Sequence, residues 1–334
     1  MPFIGDLLKH GSVSIVGVEK NTGKTECFNY IVRRFQVLGV VAGLTSIGVD
    51  GESRDQVTGT AKPEVTVFES MLFVTAESHF RQRRFLAEIL DVSPHTTSLG
   101  RLVVARALET GKVLLSGPAD TYTLSKVIVR LRSLGATIAL VDGAVSRRSL
   151  GSPAVTDAMI LTTGAALSAH LPTLVRKTKF VCDLIALPEV DSALRQKLLP
   201  HQAICAIDEQ GVVTDLGIPS VFGIENSGTD IFRFGKTIFL PGALTDKMVN
   251  YLKAQKQVGE VKLVVRDFTK VFASAEVWSQ FQRLGGSLQV LWRANLLAVC
   301  VNPTAPDGTV LDSAKMCDAL SQTLDLPVWN VRQL

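Results

Sequence analysis

Val13-Ser-Ile-Val-Gly17-Val-Glu-Lys20-Asn21-Thr22-Gly23-Lys24-Thr25-Glu26 is the stretch whose reading decides the fold. An apolar run closes on glycine, a short loop follows, and Gly-Lys-Thr opens a helical pattern in which Cys27, Phe28, Ile31, Val32 and Phe35 recur on one face. A strand that passes into a helix in this way aims loop N–H groups and the positive end of the helix at one point, which suits a polyanion. Lys24 is placed to reach outer phosphates and the Thr25 hydroxyl to complete a magnesium shell. The sequence therefore predicts nucleotide triphosphate binding by Gly17, Lys20, Asn21, Thr22, Gly23, Lys24, Thr25 and Glu26, with ATP and Mg²⁺ as the ligands. The alternative is a strand, a turn and a helix that meet no phosphate.

Such a loop positions phosphates but needs a carboxylate from another strand to hold the metal, at the strand ends where ligands collect in open α/β sheets. Thr137-Ile-Ala-Leu-Val-Asp142-Gly143-Ala144 supplies one. Asp142 either holds Mg²⁺ or caps the following turn. A further acid, Asp50 in Gly48-Val-Asp50-Gly51, either faces the γ-phosphate and metal or belongs to an ordinary Asp-Gly turn. The catalytic set expected is Lys24, Asp142 and Asp50, and the metal set is Thr25, Asp142 and Asp50. Arg147 and Arg148 are candidates for phosphate or carboxylate contacts, or for surface ion pairs.

The 334 residues, 46% hydrophobic and 20% charged, are enough for one large core or two modest ones. Mean hydropathy is positive, at +0.27. Even so, no uncharged apolar run approaches the ~18 to 20 residues that a membrane span requires. The N-terminus carries no signal-peptide pattern, and a cytoplasmic protein is expected. A net charge of +4 is spread along the chain without aromatic interleaving, which argues against nucleic acid. The densest basic cluster, Arg81-Gln-Arg83-Arg84, reads as a solvated helix face. Cys27, Cys182, Cys205, Cys300 and Cys317 read as buried thiols, and His10, His79, His95, His170 and His201 show no metal-ligand spacing.

Along the chain, short β-branched runs alternate with helical patterns, predicting an α/β fold with a mainly parallel sheet flanked by helices. Strands are expected at 13–16, 40–44, 112–116, 137–141 and 158–161, with helices after Lys24, at 99–110 and at 123–134. Residues 65–68 and 71–75 read as a β-hairpin. Residues 203–236, broken by glycine and proline, read as a small β-rich middle lobe. From 237 onward the α/β rhythm resumes through strands at 237–240, 262–265, 296–301 and 328–331, with helices near 245–254, 274–284 and 313–324. The domains expected are a nucleotide-binding part at 1–180, a linker and β-rich lobe at 181–236, and a C-terminal α/β part at 237–334 that completes the sheet.

The loop departs from the common Gly-x4-Gly-Lys-Thr pattern, because position 18 is Val18 and the glycine stands one place earlier. The longer loop resembles that of the dethiobiotin synthetase and cobyrinic acid synthase branch of P-loop NTPases, and Lys20-Asn21 resembles the molybdopterin-guanine-dinucleotide accessory proteins. Val141-Asp-Gly-Ala144 is similar to the Val-Glu-Gly-Ala stretch that carries the magnesium carboxylate in dethiobiotin synthetases. Asn302, closing an apolar run before Pro303, is positioned like the asparagine that reads the base in that branch, or else marks a strand-ending turn. There is no Asn-Lys-x-Asp guanine signature, which favours ATP over GTP.

More narrowly, Gly17–Thr25, Asp142–Arg148, Ser152–Ala165 and Asn302–Pro306 together resemble the ATP-binding subunit of lysine 5,6-aminomutase reactivases. That resemblance implies a chaperone-like ATPase that reactivates a cobalamin-dependent aminomutase, its protein partner. Two rivals stay open. One is an ATP-dependent synthetase that activates a carboxylate, with Lys20, Lys62 or Arg147 beside the γ-phosphate; the other is a nucleotide-binding chaperone for cofactor or metal insertion.

Overall fold

The computed structural model describes residues 2–47, 64–144, 155–224 and 230–334. The chain divides into two compact units, one formed by Met1–Lys179 with Asn295–Leu334 and the other by Phe180–Ala294.

The first unit opens with α1 (Ile4–Leu7), β1 (Ser12–Gly17), α2 (Lys24–Val37) and β2 (Ala42–Ser46). It continues through β3 (Val65–Val67), β4 (Leu72–Ala76), α3 (Glu77–Gln82), β5 (Ala87–Thr97), β6 (Gly100–Ala107) and β7 (Gly111–Val113). Then come α4 (Thr121–Ser133), β8 (Ile138–Ala144), β9 (Ala158–Gly164) and α5 (Leu171–Ile185), within which the division between the units falls. The second unit contains α6 (Ser192–Leu198), β10 (Ile204–Ile207), β11 (Val213–Ile218), β12 (Thr237–Leu240), α7 (Asp246–Lys253), β13 (Lys262–Val265), α8 (Ala275–Arg283) and β14 (Ser287–Val290). The chain then returns to the first unit as β15 (Leu296–Asn302), α9 (Ser313–Thr323) and β16 (Val328–Trp329).

The fold is α/β, with a large, mostly parallel mixed sheet flanked by helices. Nine strands run in the order β16-β15-β9-β1-β8-β2-β4-β6-β5. They are parallel from β16 to β4, and β6 is antiparallel to both β4 and β5. β1 lies inside this sheet and is buried at every residue, the pattern of a strand covered on both faces. Its start is fixed by Asp157, whose Oδ2 accepts from the Gly11 and Ser12 N–H groups at 2.9 Å each. Above the sheet, Cys27, Phe28, Ile31, Val32 and Phe35 of α2 are fully buried in one cluster with Ile15, Leu44 and Leu140.

Four local expectations are corrected. Residues 99–110 form β6 rather than a helix: the continuous apolar run Leu102-Val-Val-Ala105 fits either state, but the β-branched pair finds ladder partners on both sides in β4 and β5. Residues 65–68 and 71–75 do not pair with each other. β3 joins β7 in a separate two-stranded sheet, whereas β4 enters the large sheet beside β2 and β6. For the same reason the run at 112–116 supplies only a short strand outside the large sheet. The expected break at 236/237 cuts through one sheet, because β10 pairs antiparallel with both β11 and β12, and β12, β13 and β14 continue in parallel. The β-rich lobe and the α/β segment after it are therefore one five-stranded unit, and only residues from Asn295 onward complete the first sheet.

Among the described residues no helix is long and apolar enough to cross a membrane. The cysteines are free thiols, four of them buried, with Cys27 Sγ 3.5 Å from Cys300 Sγ.

Phe73 of β4 is fully buried and packs against Phe80 and Phe85 at ring distances of 6.4 and 5.7 Å. Phe73→Ala is expected to cost ~3–5 kcal/mol, read as a lower urea midpoint by circular dichroism. A loss under ~1 kcal/mol would contradict this packing.

Candidate functional site

β1 ends at Gly17 between two parallel neighbours, in register with Ala144 of β8 and Thr162 of β9. The carboxyl ends of four strands, β1, β8, β9 and β2, meet here, since Asp142 on β8 is also paired with Ser46 of β2. Past β1 the chain folds back over its own last residue. The Val18 N–H donates to the Thr162 carbonyl at 2.8 Å. The buried Thr22 hydroxyl donates to the Glu19 carbonyl at 2.8 Å and meets the Thr162 hydroxyl at 3.2 Å. A Cβ on Gly17 would stand 2.5 Å from Thr22 Oγ1, so the fold-back admits no side chain there.

The loop enters α2 through two left-handed residues, Asn21 at φ 60° and Gly23 at φ 93°. Gly23 is the N-cap of α2 and offers no side chain to the first-turn N–H groups. Asp120, Thr245, Ser274 and Asp312 each accept a backbone N–H at the start of α4, α7, α8 and α9, whereas α2 shares its lack of a side-chain cap with the short α1 and α3. An uncapped, 14-residue helix presents its donors and its positive end to the space above β1.

Lys24 and Thr25 are half-buried in the first turn of α2. Burial pulls the Lys24 ammonium below the ordinary lysine value; the Asp142 carboxylate and then Glu19 act against that shift, and Lys20 adds to it. A lysine with a depressed folded value holds fewer protons folded than unfolded between the folded value and 10.5, so stability rises with pH across that window. Below the window the protonated, buried side chain is a cost to the fold. A cation kept at such a cost, under the influence of an acid from a distant strand, marks a candidate functional site.

The other candidates fall as follows. Lys20 is exposed, and its N–H donates to Glu19 Oε1 at 3.1 Å. Glu26 pairs with Arg332 at 2.7 Å. Asn302 closes β15, where its Nδ2 donates to the Asn21 carbonyl at 3.3 Å and its Oδ1 accepts from the Thr304 N–H at 3.2 Å. One end of that amide props the loop and the other closes its own strand-ending turn. Asp50 lies outside the described residues, as do Lys62, Arg147 and Arg148.

Sequence reasoning did not single out Thr162 as the loop's buttress. It also missed a cavity of about 550 Å³ lined in part by Glu64, His79, Gln82, Arg83, Arg84 and Lys112. The helical reading of the basic cluster holds for Arg81, which pairs with Glu77 on α3, but Arg83 and Arg84 lie beyond that helix. The Arg83 guanidinium lies over the Phe80 ring, 3.7 Å from its centroid, and Nη1 donates to the Phe80 carbonyl. His79 Nδ1 is 3.1 Å from Ser116 Oγ, next to Gly117, which packs against the Ser46 carbonyl. The cavity wall thus connects to the same strand ends as Asp142.

Lys24→Met is expected to leave the unliganded protein at least as stable as wild type near neutral pH, because a buried charge is removed; a thermal midpoint several degrees lower would contradict the account. Gly23→Ala, which must adopt a positive φ with its Cβ 2.7 Å from Asn302 Cβ, should lose about 1–2 kcal/mol in urea unfolding. No family model matches the chain, and no curated protein or solved structure matches it.

Proposed function

We propose that the chain is a P-loop protein that binds Mg·ATP at the loop between β1 and α2. It would hydrolyse the nucleotide slowly as an accessory, reactivating ATPase for a cobalamin-dependent aminomutase. The observation that carries the nucleotide reading is Lys24, a desolvated cation in the first turn of an uncapped helix, close enough to Asp142 of another strand to feel its charge. The reactivating role rests on the sequence resemblance.

The donor set fits the ligand. A hydroxyl and a carboxylate are the hard oxygen donors that Mg²⁺ takes, and Thr25 and Asp142 supply them. Bound there, Mg·ATP supplies a phosphoanhydride whose cleavage separates two states of the protein. The first-turn N–H groups of α2 bind phosphate oxygens, and Lys24 Nζ neutralises charge that builds on the outer phosphates. Thr22, Thr162 and Asn302 hold the loop in the binding geometry before the ligand arrives, which lowers the ordering cost of binding.

The basic cavity at His79, Arg83, Arg84 and Lys112 favours a second reading, a synthetase that activates a small carboxylic acid. Guanidinium forks suit carboxylates, and His79 of the cavity wall meets Ser116, whose neighbour Gly117 packs against the Ser46 carbonyl of β2.

Lys24→Ala should abolish tight ATP binding in calorimetry. Asp142→Ala should keep measurable binding while Mg²⁺-dependent hydrolysis falls at least ~100-fold; normal hydrolysis in that variant removes Asp142 from the mechanism. Acceleration of wild-type turnover by an aminomutase supports the reactivase. Acceleration by small carboxylic acids, lost in Arg84→Ala, supports the synthetase instead.

A further inference from the structure

The second unit brings together three side chains of metal-ligand type that are dispersed in the sequence. His201 precedes β10, Cys205 lies on β10 and Asp215 lies on β11; one ligand atom from each falls within 4.8 Å of the others. His201 Nδ1 and Asp215 Oδ2 are 3.6 Å apart. With metal distances of about 2.3 Å to sulfur and 2.0–2.2 Å to nitrogen and oxygen, a tetrahedral site has ligand–ligand edges of about 3.3–3.7 Å. The observed group approaches that spacing before any ion draws it in.

The local fold is built to produce this meeting. Pairing of β10 with β11 runs Ile204↔Ile218 and then Cys205↔Asp215, so two residues of β11 are looped out between successive rungs. A regular antiparallel ladder would set Gly217 opposite Cys205; the irregularity sets a carboxylate there instead, as bulges do when they re-aim a side chain. The Gly217 N–H then donates to Asp215 Oδ1 at 2.8 Å, while Oδ2 faces His201. The His201 carbonyl accepts from Arg266 Nη2 at 2.9 Å, which steadies the third ligand's backbone. Such outer contacts orient ligands in metal sites.

A cysteine beside a histidine also suggests a thiol nucleophile, but the electrostatics point away from one. Burial, and then the Asp215 carboxylate, pushes the Cys205 thiol up to about 11, whereas reactive cysteines have depressed values. A divalent metal resolves the same arrangement, because coordination displaces the thiol proton and neutralises the acid.

We infer that His201, Cys205 and Asp215 form a binding site for a divalent transition metal of the zinc class, with the fourth position open on the exposed Asp215 side. Sulfur, imidazole and carboxylate together select this class over Mg²⁺ or Ca²⁺. The inference is independent of the nucleotide reading.

Co²⁺ titrated into the chelator-treated full-length protein is the test. A thiolate-to-cobalt charge-transfer band should saturate at a single equivalent, with a Kd below about 1 µM, and Zn²⁺ should abolish it. Cys205→Ser should lose the band, and Asp215→Asn, at an exposed position, should keep it with affinity at least ~10-fold weaker. No band in the wild-type protein overturns the inference. So does an undiminished band in Cys205→Ser, or wild-type affinity in Asp215→Asn.

Discussion

A charged ammonium held partly out of water at the first residue of a helix is the constraint around which the first unit is arranged. Desolvation opposes it, and nothing in the packing of α2 requires it, since the apolar face of that helix begins only at Cys27. What keeps the charge tolerable is the acid of β8, brought near by a parallel register that places Asp142 opposite Ile15 and Ser46. The burial of β1 between β8 and β9 is therefore an electrostatic device as well as a hydrophobic one. It sets two charges from distant parts of the chain at one end of the sheet, beside the loop between β1 and α2.

The parts of this arrangement that were legible in the sequence are those encoded locally. A buried strand, a glycine, a loop and an amphipathic helix are contiguous between Val13 and Phe35, and the periodicity of α2 maps directly onto its buried residues. Asp142 was legible as an acid near the end of a buried strand, because it follows the apolar run Ile138–Val141. The run Leu102-Val-Val-Ala105 was misread because continuous apolar residues fit a buried helix or a buried strand equally, and only the partners β4 and β5 decide. Pairing between non-neighbours was invisible for the same reason: nothing in Val65-Thr-Val67 announces β7 as its partner.

The second unit shows the other limit of sequence reading. Glycine and proline near Gly211 and Pro219 marked a β-rich stretch correctly, yet β12, which follows it, belongs to the same sheet and not to a new domain. The meeting of His201, Cys205 and Asp215 was hidden in a related way. His201 and Cys205 stand four residues apart without a recognised ligand motif, and Asp215 joins them only because β11 loops out two residues at the crossing. Spacing rules assume regular elements, so an irregular ladder hides its convergences from them.

The first sheet is sewn from both ends of the chain, and its last threads carry Asn302, whose amide braces the loop through the Asn21 carbonyl. A ribosome reads out the entire insertion from Phe180 to Ala294 before that brace emerges. A nascent polypeptide therefore holds Lys24 and Asp142 long before it holds Asn302, the residue that ties the Asn21 carbonyl to β15.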